Sequence, residues 1–134
     1  MLFRSLPVWT YEFDGLTLEK RLLLPHGQNT TYVNYRIVSG SGPLKLQLQP
    51  AVNMRKHEDP VNTPVDTYTF TVRDHHYELL KSSNNLPPLR IMVLASGAGL
   101  QVECARIDDV IYAVERSRGY KWKGGLWSPG HFSA

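Results

Sequence analysis

The sequence predicts an all-β protein built as an antiparallel β-sandwich, which we expect to be incomplete at its ends. Apolar side chains alternate with polar ones at a period of two, and the alternating runs are short and bounded by turn-forming residues. No run of about ten residues or more has a helical period. Nine or so short strands without intervening helices favour antiparallel pairing, since parallel strands need long crossover connections.

The first four predicted strands form two pairs. Strands are predicted over residues 8–13 and 16–24, and Asp14-Gly15 supplies the turn between them. The next two strands, over 32–37 and 44–49, show the same alternation of apolar and polar side chains. Between them lies Ser39-Gly40-Ser41-Gly42-Pro43, which predicts a hairpin connection.

Five further short strands are predicted in the second half of the chain, at residues 68–72, 76–81, 89–94, 100–105 and 110–115. Ser96-Gly97-Ala98-Gly99 opens no helix, so it predicts a hairpin turn and not a phosphate-binding loop. His75-His76 is interpreted as a turn that enters a strand. Adjacent side chains on a strand point to opposite faces and cannot both bind one ion, so no metal or other cofactor is expected.

Length and composition limit the classes of function. A chain of 134 residues fits one domain with its own core, so a single domain over residues 1–134 is expected. No apolar run is long enough for a membrane helix, and a cytoplasmic protein without membrane contact is expected. Net charge is +3, but the basic residues are scattered among acidic ones, so no nucleic-acid partner is expected. The one cysteine, Cys104, forms no internal disulfide and is expected to be buried.

Two stretches carry candidate binding residues. The longest irregular segment, about residues 50–66, contains Arg55 and His57 beside Glu58 and Asp59. These groups suit a sugar hydroxyl or an anion, and general acid–base chemistry is a weaker alternative. A charged surface loop held by local ion pairs explains the same residues without any ligand.

The second stretch joins charged groups to aromatic rings. Glu115 and Arg118 precede Trp122 and Trp127. Pyranose rings stack on aromatic faces, while guanidinium and carboxylate groups match vicinal hydroxyls, so this mixture is typical of carbohydrate sites. The alternative is that the tryptophans are core or interface anchors.

Several short blocks occur along the chain in a fixed order. They are Val8-Trp9, Asp14-Gly15, Glu19-Lys20-Arg21, Gly27-Gln28-Asn29-Thr30, Val33-Asn34-Tyr35-Arg36, Leu48-Gln49-Pro50, Arg55-Lys56-His57, Glu115-Arg116-Ser117-Arg118-Gly119 and Leu126-Trp127-Ser128-Pro129-Gly130-His131-Phe132. This order resembles the N-terminal domain of the bacterial and archaeal glycogen debranching enzymes, the amylo-α-1,6-glucosidases. The sequence departs from that pattern in one place, since a single residue separates Arg55 from His57 where the family has two.

The resemblance implies a β-sandwich that precedes an (α/α) toroidal catalytic domain in a larger glycoside hydrolase. The catalytic carboxylates would lie in that toroid, so no catalytic residue is expected here and the isolated chain is expected to be inactive. Implied partners are glycogen or a related α-glucan and the toroid. Both ends are expected to be truncated, and because half a sandwich leaves an uncovered apolar face, self-association into a homo-oligomer is predicted.

Three alternatives to glucan binding stay open. A purely structural or oligomerisation domain would use its aromatic residues against a neighbouring domain. An independent hydrolase would use His57, Glu58 or Asp59, and a nucleic-acid binder would rely on the basic pI of about 9.1.

Overall fold

A computed structural model describes residues 6–82 and 86–134 and confirms the all-β prediction. These residues form nine strands and one short helix: β1 (Val8–Phe13), β2 (Leu16–Leu23), β3 (Tyr32–Ser39), β4 (Gln47–Leu48), β5 (Tyr68–Arg73), β6 (His76–Lys81), β7 (Leu89–Met92), β8 (Gly99–Ile111), α1 (Ala113–Ser117) and β9 (Lys123–Ser133). The strands make three antiparallel sheets, with the orders β1-β2-β3, β4-β9-β8 and β5-β6-β7. No helix in these described ranges is long and apolar enough to cross a membrane.

The chain divides into two compact units. The first unit, Met1–Leu44, contains the β1-β2-β3 sheet, and the second, Lys45–Ala134, contains the other two sheets. The single domain over residues 1–134 stays a prediction.

The first unit begins with the predicted hairpin. Phe13 pairs with Leu16 across the two-residue turn Asp14-Gly15, which confirms the turn. Both turn residues have positive φ, 47° and 73°, as a tight hairpin turn whose twist matches its strands requires. Strand β2 is central in this sheet and buries Leu16 and Leu18.

The core of the second unit lies between its two sheets. Tyr77 on β6 meets Phe132 on β9 edge-on, with ring centroids 4.8 Å apart, and Tyr68 on β5 stacks on Trp127 of β9 at 5.1 Å. Leu79 is fully buried beside Tyr77 on the same strand as a further core residue. The aromatic pairs therefore join β5-β6-β7 to β4-β9-β8, the face-to-face arrangement of a sandwich.

Two predicted hairpins are wrong, although both segments do connect strands. Strand β3 pairs with β2 while β4 pairs with β9, so Ser39-Gly40-Ser41-Gly42-Pro43 connects different sheets. Ser96-Gly97-Ala98-Gly99 likewise connects β7 of one sheet to β8 of another. Turn chemistry shows where a chain changes direction, but the choice of strand partner depends on long-range packing.

The end of the chain also differs from the prediction. Residues 100–105 and part of 110–115 form one long strand, β8, and the helix α1 follows it. The break expected between residues 105 and 110 is a bulge, where the β8–β9 register shifts and Asp109 has a φ of 57°. The Gly-rich tail, which was not predicted as a strand, is β9 and pairs along most of β8.

A proline is accommodated inside β9 by a second bulge. The ladder pairs Val102 with Gly130 and Ala105 with Ser128, so Pro129 lies opposite the irregular residues Glu103 and Cys104. A proline donates no ladder hydrogen bond, and a bulge is one of the few places in a sheet that tolerates it. The cysteine at this bulge is exposed, so the expectation that it is buried is wrong.

Candidate functional site

An open groove of about 750 Å³ on the second unit brings together residues that are distant in the sequence. We call it the loop groove. One wall comes from the irregular segment between β4 and β5 and the other from the end of α1. Its lining residues are Asn53, Arg55, Lys56, His57, Glu58, Asp59, Pro60, Val61, Glu115, Tyr120 and Lys121.

The first wall is fixed to the sandwich at its start. Val52 and Trp127 exchange backbone hydrogen bonds of 2.8 Å in each direction. The Met54 amide donates to the Tyr68 hydroxyl at 2.9 Å, and the buried Lys81 ammonium donates to the Met54 carbonyl at 3.0 Å. The segment therefore enters the groove from a rigid anchor, directly before Arg55.

Burial of Tyr68 also changes its acidity. Removal of the phenol from water raises its pKa, and the hydrogen bond from Met54 partly opposes this while the nearby carboxylate of Asp66 adds to it. The hydroxyl is therefore kept neutral, as an acceptor for the Met54 amide.

A tight turn shapes the next residues of this wall. The Asp59 amide donates to the Lys56 carbonyl at 3.1 Å, and the Lys56 amide donates back to Asp59 Oδ2 at 2.9 Å. Arg55 Nη1 donates to the Asp59 carbonyl. The turn exposes His57 and Glu58 at its tip and holds the guanidinium group of Arg55 at its base.

The second wall depends on how α1 ends. The Tyr120 amide donates to the Glu115 carbonyl at 3.0 Å and the Gly119 amide donates to the Arg116 carbonyl at 3.1 Å. Gly119 has a φ of +75°. These features define a Schellman C-cap, in which a left-handed residue, usually glycine, ends the helix. The cap brings Tyr120 and Lys121 to the groove beside Glu115.

The loop that forms the first wall lies close against β9 at its end. A Cβ atom on Gly124 would collide with the carbonyl oxygen of Val61, and Val61 is buried with 4% of its surface exposed. A glycine at this point of β9 allows the loop to lie directly on the strand.

The structure brings together three of the six predicted carbohydrate-binding residues. Arg55, His57 and Glu115 line the loop groove. Arg118 is exposed at the C-cap of α1 and is not among the lining residues. His75-His76 forms the predicted turn into β6.

The two predicted tryptophans make contacts outside the groove lining. Trp122 lies close to two cations, with Arg116 Cζ 4.8 Å and Lys123 Nζ 5.4 Å from its ring centroid. Trp127 is half-buried and stacks on Tyr68. One face of Trp127 is therefore occupied by the core.

Sequence reasoning missed Tyr120 as a groove residue. Tyr120 is 63% exposed and is the one Phe, Tyr or Trp residue among those that line the groove. Gly119, four residues after the predicted strand end at residue 115 and directly before the tyrosine, is the sequence signal for a C-cap. A strand over residues 110–115, as predicted, leaves no helix for this glycine to cap.

The groove offers both donors and acceptors for hydroxyl groups. Arg55, Lys56 and Lys121 are cationic donors, while Glu58 and Glu115 are carboxylate acceptors. Asn53 donates its amide hydrogens to the carbonyls of Thr63 and Gly125, at 3.0 and 3.3 Å. Its Oδ1 is buried and has no hydrogen-bond partner, so one acceptor in the lining residues is left unpaired.

Metal ligands do not cluster in the part of the chain that the structure describes, where no three His, Cys, Asp or Glu side chains come together. The groove residues offer hydrogen-bonding groups and the ring of Tyr120.

The fold and groove define a class of protein: an all-β module with an open, mixed-charge groove built from a loop and a capped helix end. A comparison with known families identifies it further. The family model described as glycogen debranching enzyme N terminal matches residues 2–134, so the chain belongs to that family. No curated protein and no solved structure gives a significant match to the chain.

Proposed function

We propose that this chain is a non-catalytic N-terminal domain of a glycogen debranching enzyme and that its loop groove contacts an α-glucan. The observation that carries the proposal is the convergence of Arg55, His57, Glu115 and Tyr120 on one groove, in a chain of this family. The loop groove has a volume of about 750 Å³, which falls within the range of about 300–1,000 Å³ for ordinary ligand sites.

The groove chemistry suits a sugar chain better than an anion. Its charged lining residues have both signs, so a phosphate or carboxylate would meet Glu58 and Glu115 as well as the cations. A neutral polyol uses both types of group, because each hydroxyl donates one hydrogen bond and accepts others. The exposed ring of Tyr120 adds a surface on which a pyranose C–H face can stack.

Catalysis is assigned elsewhere in this proposal. In the enzymes that the sequence resembles, the carboxylates that cut α-1,6 bonds belong to a toroidal domain, and this chain would serve that domain by holding or positioning glucan. A cytoplasmic location is part of the same proposal, on the sequence argument given above.

The proposal is tested by calorimetric and NMR titration of the full chain with maltoheptaose. We expect weak binding at millimolar sugar and chemical-shift changes confined to the groove residues. Tyr120→Ala is expected to raise the Kd about three- to tenfold, since about 1 kcal/mol of stacking is lost. Glu115→Gln, which keeps the side-chain shape but removes the charge, is expected to weaken binding by a similar factor.

A matched control and a positioning variant sharpen the result. Tyr32→Ala makes the same change at a 50%-exposed tyrosine of the other unit and is expected to leave the Kd unchanged. Gly119→Ala meets no atom within 4 Å but strains the left-handed cap, so it is expected to weaken binding while Tyr120 is still present.

Two outcomes would contradict glucan binding at the groove. One is the absence of heat and shift changes at millimolar maltoheptaose. The other is binding that Tyr120→Ala and Glu115→Gln leave unchanged. The first outcome would favour the structural alternative, in which the chain supports the catalytic domain and its aromatic rings serve packing, as Trp127 does against Tyr68.

A further inference from the structure

The β1-β2-β3 sheet has one strongly apolar face. Residues that pair directly across antiparallel strands share a face, and successive residues alternate between faces. Trp9 pairs with Lys20 and Lys20 with Tyr35, while Tyr11 pairs with Leu18 and Leu18 with Ile37. By the same rule, this face, which we call the aromatic face, carries Trp9, Tyr11, Phe13, Leu16, Leu18, Lys20, Leu22, Val33, Tyr35 and Ile37.

The opposite face is mixed: Val8, Leu23 and Tyr32 are exposed apolar residues on it, but its centre consists of charged and hydroxyl side chains that pair with one another. Glu19 accepts from Arg21 Nε at 2.6 Å and from Arg36 Nη2 at 3.3 Å. Ser39 donates to the Thr17 hydroxyl at 2.8 Å. The two faces therefore differ in charge: the opposite face carries Glu12, Glu19, Arg21 and Arg36, whereas the aromatic face carries Lys20 alone.

The aromatic face nevertheless stays accessible at its margins. Leu16 and Leu18 on the central strand are 8% and 7% exposed, but the five apolar side chains around them on β1 and β3 are 43–47% exposed. They are Trp9, Tyr11, Phe13, Val33 and Ile37. With aromatic side chains of about 150–250 Å² each, the exposed apolar area is on the order of 400 Å². That area is as large as the largest apolar patch of a typical monomer.

We infer that the aromatic face is a homodimer interface, on which a second copy of this chain packs face to face. Two such faces would bury about 800 Å² of apolar surface in total, which is the size of a weak, reversible interface and below that of a permanent one. A second copy presents the same apolar face, so an isologous two-fold contact needs no second surface. This inference is independent of the proposed glucan contact, which lies in the other unit.

The single charge on the aromatic face sets the orientation of the two copies. Lys20 lies with its Nζ 5.2 Å from the ring centroid of Trp9. Consider a two-fold axis that lies in the plane of the contact and perpendicular to the strands. It places Lys20 of one copy opposite the part of the other copy's face that carries Phe13 and Leu16. The two ammonium groups are then kept apart, whereas an axis along the strands would stack them.

Sedimentation equilibrium of the full chain tests the inference. The weight-average mass is expected to rise with concentration from 15.3 kDa towards twice that value, with a Kd between about 10 μM and 1 mM. Tyr11→Glu places a charge midway along β1, within the proposed apolar contact, and is expected to raise the Kd at least about tenfold.

Val8→Glu is the matched control, because Val8 is on the same strand and 46% exposed like Tyr11, but pairs with Arg21 on the opposite face. It is expected to change the Kd less than about twofold. Circular dichroism checks that each variant keeps its β structure, and Ile37→Glu replaces Tyr11→Glu if that variant does not fold. A mass of 15.3 kDa at every concentration would overturn the inference, as would equal weakening by the Tyr11 and Val8 variants.

Discussion

Tyr68→Phe removes one hydroxyl from the base of the loop groove and is expected to destabilise the second unit by about 1–2 kcal/mol. Tyr68 is 7% exposed, and its hydroxyl accepts the Met54 amide at 2.9 Å. Phenylalanine keeps the ring stacked on Trp127 but leaves a half-buried amide without a partner, which costs about 1–3 kcal/mol for a buried group. The lower part of that range applies because Met54 is only partly buried.

Urea denaturation followed by tryptophan fluorescence measures this loss. The chain has three tryptophans, and a Trp9→Phe background leaves Trp122 and Trp127, both in the second unit. With a slope of about 1–3 kcal/mol per molar urea, the midpoint is expected to fall by about 0.3–2 M. Tyr120→Phe makes the same change at an exposed hydroxyl and is expected to stay within about 0.5 kcal/mol.

The pH dependence gives a second readout of the same group. Burial raises the pKa of Tyr68 above that of an unfolded tyrosine, so the folded state holds the phenol proton more tightly. The stability linked to this proton is present below pH about 10 and is lost as the pH rises through the folded pKa. Tyr68→Phe is expected to lose less stability than the wild type over this alkaline range. A midpoint and an alkaline slope both equal to those of the wild type would refute the role of the hydroxyl.

Two further predictions address the core and the first sheet. Phe132→Ala removes a ring that is 4% exposed and in edge contact with Tyr77. It is expected to lower the free energy of unfolding by about 3–5 kcal/mol in the same urea assay, and a loss below about 1 kcal/mol would contradict the packing of the two sheets. The hydrogen bond from Arg21 holds the pKa of Glu19 below its usual range. The stability that the ionised Glu19 carboxylate contributes is therefore present at neutral pH and is lost as the pH falls through the lowered pKa. NMR titration of the Glu19 carboxyl is expected to show a higher pKa in Arg21→Gln and a smaller rise in Arg36→Gln, whose contact is longer; equal titration in all three proteins would contradict this assignment.

Local patterns in the sequence identified most strands but not their partners. Alternation located β1, β2, β5 and β6 closely, since half-buried strands impose a period of two on their side chains. It failed for β9, because glycines and Pro129 give this strand low β propensity. The strand exists because β8 supplies a ladder partner and because a bulge accommodates the proline, which are both long-range effects.

The candidate site was only partly accessible to the same reasoning. The residue types at Arg55, His57 and Glu115 indicated hydrogen bonding to a polar ligand, and the structure places all three in one groove. Trp122 and Trp127 are predicted as binding residues because of their large flat rings. Ring size does not distinguish a binding surface from a core contact or a cation contact. Tyr120 reaches the groove through the C-cap at Gly119, a geometry that depends on residues 113–117 being helical.

The sequence by itself determined the all-β class and, through the order of its blocks, the family to which the chain belongs. The fold class depends on the period of the strands, and the family depends on short residue blocks in a fixed order, so both depend on local information. The tertiary structure alone decided which strands pair and which aromatic rings form the core. It also decided which distant charged residues line one groove, as Arg55 and Glu115 do. The physical reason is that burial and backbone hydrogen bonding are satisfied between distant segments, and many pairings of similar short strands would satisfy the local pattern equally well.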